Sequence, residues 1–204
     1  MSYPDFFDKA PRITMRDPLA EFLGAAEHGI MEYSYVDAVK LAGHSCPTVA
    51  SAYLMARSAL AALYPDALPE RGAIQVELPD QSQDGVAGVI ANVLSLLTGA
   101  TEDSGFKGIG GRFDRRKLLT FGVPVAGEIR FIRRDTQESV TVSARLDRVS
   151  GDPRLRELMP RCIFGTATAD ETRLFQALWQ ERVRKLLVDH ADDPDVIVVQ
   201  HSKG

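Results

Sequence analysis

The spacing of hydrophobic positions changes period several times along the chain, and each change predicts an element. From Pro47 onward, Val49, Tyr53, Ala56, Leu60 and Leu63 recur at steps of four, three, four and three, which is one face of a helix. Pro47 suits a first helical position, where the amide it lacks would be unpaired anyway, and Tyr64-Pro65 closes the run. A shorter helical stretch from about Tyr33 to Leu41 precedes it and stops at Gly43. Arg71 to Leu78 instead alternates, with Ile74, Val76 and Leu78 on one face, and predicts a strand. A further helix is expected to open at Asp84, bury Val86, Val89, Ile90, Val93, Leu94 and Leu97, and end at Gly99. Its other side, Gly85, Gly88, Asn92 and Ser95, is small and polar enough for close approach to another element or a ligand.

Leu118 to Val123, Gly127 to Arg134 and Ser139 to Leu146 read as strands, with Asp135-Thr136-Gln137 as the turn between the last two. Val140, Val142 and Ala144 alternate with Thr141, Ser143 and Arg145, so that strand is expected to have one wet face. After a helical turn near Leu155 to Leu158, Thr168 and Glu171 form a capping box. The helix it starts carries Leu174, Phe175, Leu178, Trp179, Leu186 and Leu187, and Val196 to Val199 suggests a last strand. Helices mixed with mainly antiparallel strands predict an α+β fold, a sheet packed with several helices. Residues 1 to 30, with Pro4, Pro11 and Pro18 and little periodicity, are expected to form an irregular arm docked on the body or on a partner. Residues 31 to 204 would then be one domain with a helical carboxy-terminal extension.

Composition narrows the class. The chain has 204 residues, 45% hydrophobic and 25% charged, as in ordinary globular proteins. No apolar run approaches the ~20 residues of a membrane span. The first residues lack a basic segment before an apolar core, so the expectation is a cytoplasmic protein without a membrane partner. Cys46 and Cys162 are the two cysteines, too few for a disulfide framework and too far apart for a zinc finger. The net charge of −4 hides a basic stretch from Gly105 to Arg134, with eight cationic side chains against Asp114 and Glu128. Such a stretch is either a solvated face or an anion-binding or subunit surface. Phe106 and Phe113 are interleaved with it, but an acidic chain without a recognised module argues against a nucleic-acid partner.

Candidate chemistry concentrates at Gly43-His44-Ser45-Cys46-Pro47. Pro47 at a first helical position makes Cys46 the helix cap, its sulfur beside the unpaired amides of the first turn. His44, two residues earlier in non-helical backbone, can present an imidazole to the same point. That pairing suits a divalent transition metal or a nucleophile with its base; the plainer reading is a half-buried cysteine and a histidine bonded to a turn. A second candidate is the glycine-rich segment, where Lys107, Gly108, Gly110, Gly111 and Arg112 would bind an anionic cofactor through backbone amides and two cations. Its spacing matches neither a Walker A loop nor a dinucleotide fingerprint, and a purely structural loop is the alternative.

Gly-His-Ser-Cys-Pro-Thr-Val-Ala and, about fifty residues on, Leu97-Thr98-Gly99-Ala100-Thr101 resemble the two signatures of the FmdE-like family of formylmethanofuran dehydrogenase subunits, over roughly Tyr33 to Phe121. The resemblance implies an α+β domain, usually a homodimer, with a metal site around His44 and Cys46. Family members carry further cysteines and an acidic residue where this chain has Val89, Ala100 and Asn92, and some have a cysteine-rich module that is absent here. A site depleted in this way holds metal less tightly and leaves positions open to water or a ligand. Glu77, Asp84, Asn92, His28 and Cys162 are the candidates to complete it.

The expected function is therefore that of an FmdE-like metal-binding protein, zinc first, acting on a small molecule or cofactor ligand. A carrier or sensor of a metal or haem-type cofactor is an alternative, as is a metal-independent thiol enzyme with Cys46 as nucleophile and His44 as base. The family name carries no implication of formylmethanofuran chemistry.

Overall fold

In a computed structural model, residues 3–201 are described. The fold is α+β, with a mainly antiparallel sheet packed against several helices, as the periodicities predict. The amino-terminal part supplies β1 (Ile13–Arg16), α1 (Pro18–Phe22), β2 (Ile30–Tyr33) and α2 (Tyr35–Ala42). Then come α3 (Pro47–Leu63), β3 (Ile74–Glu77), α4 (Ala87–Thr98), β4 (Leu119–Thr120), β5 (Ile129–Arg133) and β6 (Ser139–Ala144). The chain finishes with α5 (Leu155–Ile163), α6 (Ala169–Arg184), a π turn over Lys185–Asp189, and β7 (Ile197–His201).

The main sheet runs β4-β3-β5-β6-β7, parallel between β3 and β4 and antiparallel elsewhere. Its register places Val76 opposite Phe131 and Phe131 opposite Val140, so one face carries a continuous apolar row. Against it lies α3, which packs on β6, β7 and α4. Ala50, Tyr53, Leu54, Met55, Ala56 and Ala59 on this helix are all fully buried. A helix that is apolar around most of its circumference belongs in a core, and burying a side chain such as Leu54 is worth about 2 kcal/mol. The site residues at its amino-terminal end are therefore fixed to a helix buried in the core.

Three local differences from the sequence reading have physical causes. Residues 1 to 30 are not irregular throughout: β1 pairs with β2, and a boundary at residue 31 would cut across that two-stranded sheet. Phe7 is buried edge-on to Tyr35 at 5.0 Å, which docks the arm on the body despite its poor periodicity. Asp84 does not cap α4, which begins at Ala87 after Val86; its carboxylate accepts the Gln81 amide at 3.3 Å and shapes the preceding turn. Finally, α5 runs two turns and more, past Pro160, where the sequence pattern predicts a single turn.

Candidate functional site

The link between α2 and α3 is only four residues long, and it carries the candidate chemistry. Gly43 ends α2 in the left-handed conformation (φ 74°), which a residue with a side chain would adopt only under strain. Cys46 then caps α3 from extended backbone, its Sγ accepting the Val49 amide at 3.4 Å, with Pro47 in the first turn. His44 Nδ1 lies 2.9 Å from the Ala42 carbonyl oxygen, and its Nε2 lies 3.3 Å from Cys46 Sγ. A carbonyl only accepts, so Nδ1 carries the hydrogen of the neutral ring and the Nε2 lone pair faces the sulfur. His44 is exposed and Cys46 half-buried, so the pair opens to solvent.

Ser45, between them, is clamped from distant elements. Its carbonyl oxygen accepts Trp179 Nε1 at 3.0 Å and Gln180 Nε2 at 3.2 Å, both from α6. Its hydroxyl donates to Gln180 Oε1 at 3.0 Å and lies 3.0 Å from the Tyr35 hydroxyl. Burial pushes the Tyr35 hydroxyl well above its ordinary value, so it remains a donor to Ser45. Tyr35, Trp179 and Gln180 thus hold the backbone that aims His44 and Cys46. Sequence periodicity assigns Trp179 only to an apolar helix face, because its indole N–H finds its partner 134 residues away.

Beside Ser45 is an apolar cleft of about 350 Å³ walled by Tyr3, Phe7, Val39, Phe175 and Trp179. On another side of the same helix end, Thr48 and Ser51 face a cleft of about 370 Å³ that also contains Asp80 and Glu128. Two small-molecule-sized hollows thus lie near this helix end, one mainly apolar and one with Asp80 and Glu128 in a mixed wall, and neither His44 nor Cys46 lines either of them.

Metal fit depends on donor geometry. Tetrahedral zinc with nitrogen at 2.0–2.1 Å and sulfur at 2.3 Å requires about 3.5 Å between the two donors. The 3.3 Å between His44 Nε2 and Cys46 Sγ suits two adjacent ligands of one ion, and the Ala42 carbonyl orients the imidazole from its far side. Among the described residues, however, no group of three or more His, Cys, Asp or Glu side chains is placed to hold a metal ion. His28 is exposed beside Glu27, Glu77 is ion-paired with Arg130, Asp84 lies in its turn, Asn92 is exposed on α4 and Cys162 sits half-buried on α5. None of them completes a set with the dyad within one chain. Val89 and Ala100 are partly and fully buried.

The glycine-rich segment is organised around its own turn. Ile109 and Arg112 exchange two backbone hydrogen bonds, at 2.9 and 3.0 Å, across Gly110-Gly111. Both glycines have positive φ, 56° and 77°, as a type I′ hairpin turn demands. A side chain at Gly108 would strike the Arg112 carbonyl, and Lys107 is exposed. Of the five residues expected to bind an anionic cofactor, Arg112 lines a cleft, with Arg71, Arg115 and Arg134; neither His44 nor Cys46 shares it. No helix of the described residues is long and apolar enough to cross a membrane. Comparison with protein-family models and with curated proteins found no match for the chain.

Proposed function

We propose that this is an FmdE-like metal-binding protein in which His44 Nε2 and Cys46 Sγ hold a divalent transition metal, zinc first, as part of an incomplete coordination shell. The observation that supports it is the 3.3 Å convergence of the two donors, with His44 Nδ1 tied to the Ala42 carbonyl. The remaining positions fall to water, to a small-molecule ligand or to a second copy of the chain in a homodimer. Bound zinc would supply Lewis acidity toward that ligand. The chain's own part is to present Cys46 as a thiolate, keep the Nε2 lone pair of His44 on the same point through Ala42, and hold Ser45 rigid through Trp179 and Gln180. The cleft beside Ser45 favours a ligand with an apolar portion.

A second reading rests on the donor count. With no third ligand among the described residues, His44 can serve as the base that takes the Cys46 proton, making the dyad a nucleophile without metal. Cobalt(II) titration separates the two. The expected result is a sulfur-to-cobalt charge-transfer band that saturates, is lost in Cys46→Ser and in His44→Ala, and survives in Cys162→Ser. Light scattering with and without metal reads the dimer. Absence of the band, together with fast alkylation of Cys46 that slows in His44→Gln, would replace the metal reading with the thiol one.

A further inference from the structure

We propose that the cleft walled by Arg71, Arg112, Arg115 and Arg134 binds a phosphate-type oxyanion, free or as the monoester of a small molecule. It has a volume of about 290 Å³, the size of a small phosphorylated compound rather than a polymer groove.

The charge in its wall is unbalanced. Asp17 accepts from Arg71 Nη1 at 2.9 Å and from Arg115 Nη2 at 2.7 Å, one carboxylate between two guanidiniums. Glu70 faces Arg16 at 3.8 Å, and Asp114 pairs with Arg116 at 2.8 Å with the charge of Arg134 also close to it. Among the described residues Arg112 and Arg134 have no ion pair within 4 Å. Arg134 gives one N–H to the Gly72 carbonyl at 3.3 Å, and Arg112 lies 4.7 Å over the Phe113 ring. With Glu21, which pairs with Arg16 at 2.6 Å, four carboxylates thus answer six arginines.

Arg115 supplies the independent observation. Its side chain is only 6% exposed, yet Nε and Nη1 have no hydrogen-bond partner among the described residues. An arginine cannot shed its charge to escape this, and a buried donor without an acceptor is among the least favoured arrangements in a folded protein. Nη1 lies against Gly72, itself part of the cleft wall, in the space a Cβ there would take. Glu70 and Asp114 also line the cleft but are engaged by Arg16 and Arg116, so an oxyanion would bring the acceptor oxygens and negative charge that the remaining arginines lack. Planar guanidiniums pair with phosphate through parallel N–H bonds, which lysines would not reproduce.

The test is isothermal titration of the full chain with inorganic phosphate and, separately, with ribose 5-phosphate, against chloride at matched ionic strength. Saturable one-to-one binding is expected. Arg112 and Arg134 are exposed, so Arg112→Gln with Arg134→Gln leaves the core intact, as circular dichroism will check, and weakens binding by roughly tenfold or more. Arg115→Lys keeps the charge but loses the fork and is expected to weaken it as well. Tighter binding of the monoester assigns the cleft to an organic phosphate, and equal binding assigns it to free phosphate. No saturable binding of either probe, a response matched by chloride, preference for an oligonucleotide over both probes, or affinity unchanged in the double variant would overturn the proposal.

Discussion

Asp17 Oδ1 accepts a hydrogen bond from Arg115 Nη2 at 2.7 Å, joining residues 98 positions apart. The same oxygen accepts the Leu19 and Ala20 amides at the start of α1, while Oδ2 takes Arg71. One buried carboxylate therefore caps a helix, ties the amino-terminal arm to the body and anchors the basic loop.

Asp17→Asn is expected to destabilise the fold by about 3 kcal/mol, because it leaves two arginines, one of them buried, without their carboxylate. Urea denaturation at pH 7 measures this, and a loss near zero would contradict the assigned role.

The acid side follows from the same carboxyl. Burial alone would raise it, but the hydrogen bond from Arg71, the charge of Arg115 and the Ala20 amide outweigh that and hold it below the usual carboxylate range. A group depressed in the folded state contributes stability above its unfolded value, near pH 3.9, and loses it as pH falls through the folded value. The gap between the native chain and Asp17→Asn is thus widest at neutral pH and narrows below about pH 4. A gap that grew on acidification would show the sign to be wrong.

Gly72→Ala is expected to be among the most damaging small substitutions. Its φ is 89°, and an added Cβ would run into Arg115 Nη1. Displacing that side chain also strains the Asp17 pair, so a loss of about 2–4 kcal/mol is expected in thermal or chemical denaturation. Gly110→Ala, where no atom lies within 4 Å of the new Cβ, carries only the backbone strain and should cost less.

Tyr53→Phe tests the seam between α3 and the arm. The hydroxyl lies 2.8 Å from the Pro11 carbonyl and 2.9 Å from that of Tyr33. Removing it takes the hydroxyl donor from both carbonyls, for about 1–2 kcal/mol. Loss of amide protection centred on β1 and β2, read by hydrogen exchange, is the expected signature.

Trp179→Phe removes the indole N–H that holds the Ser45 carbonyl while keeping most of the apolar surface. Global stability is expected to fall by about 1 kcal/mol. Cobalt binding at His44 and Cys46 should weaken further than Leu178→Ala, on the same helix, weakens it. Equal effects from the two variants would mean that Trp179 serves only to pack the helix.

Much of this architecture is legible in sequence because it depends on local period. The four-three spacing from Val49 to Leu63 marks α3, alternation in Arg71 to Leu78 marks β3, and the Thr168–Glu171 box marks the start of α6, each within a few residues of where it stands. Local chemistry also places Cys46 at a helix cap, since Pro47 tolerates few other positions. Residues 3 to 30 are less legible: their burial comes from Phe7 on Tyr35 and Asp17 on two arginines, contacts with no sequence period. The glycines of the basic segment are ambiguous for a related reason, because a type I′ turn and an anion cradle require the same residue.

By itself the sequence determined most of the helices and strands beyond residue 34, that Cys46 and His44 could share a point, and that positive charge gathers between Gly105 and Arg134. These follow from backbone preference and from side chains a few positions apart. Only the tertiary structure decided that Trp179 and Gln180 brace Ser45, that no third ligand among the described residues joins the dyad within one chain, and that Arg115 is buried with donors to spare. Those outcomes depend on residues distant in the chain meeting in a desolvated interior, where the strength of each polar group is set by neighbours that local sequence does not name.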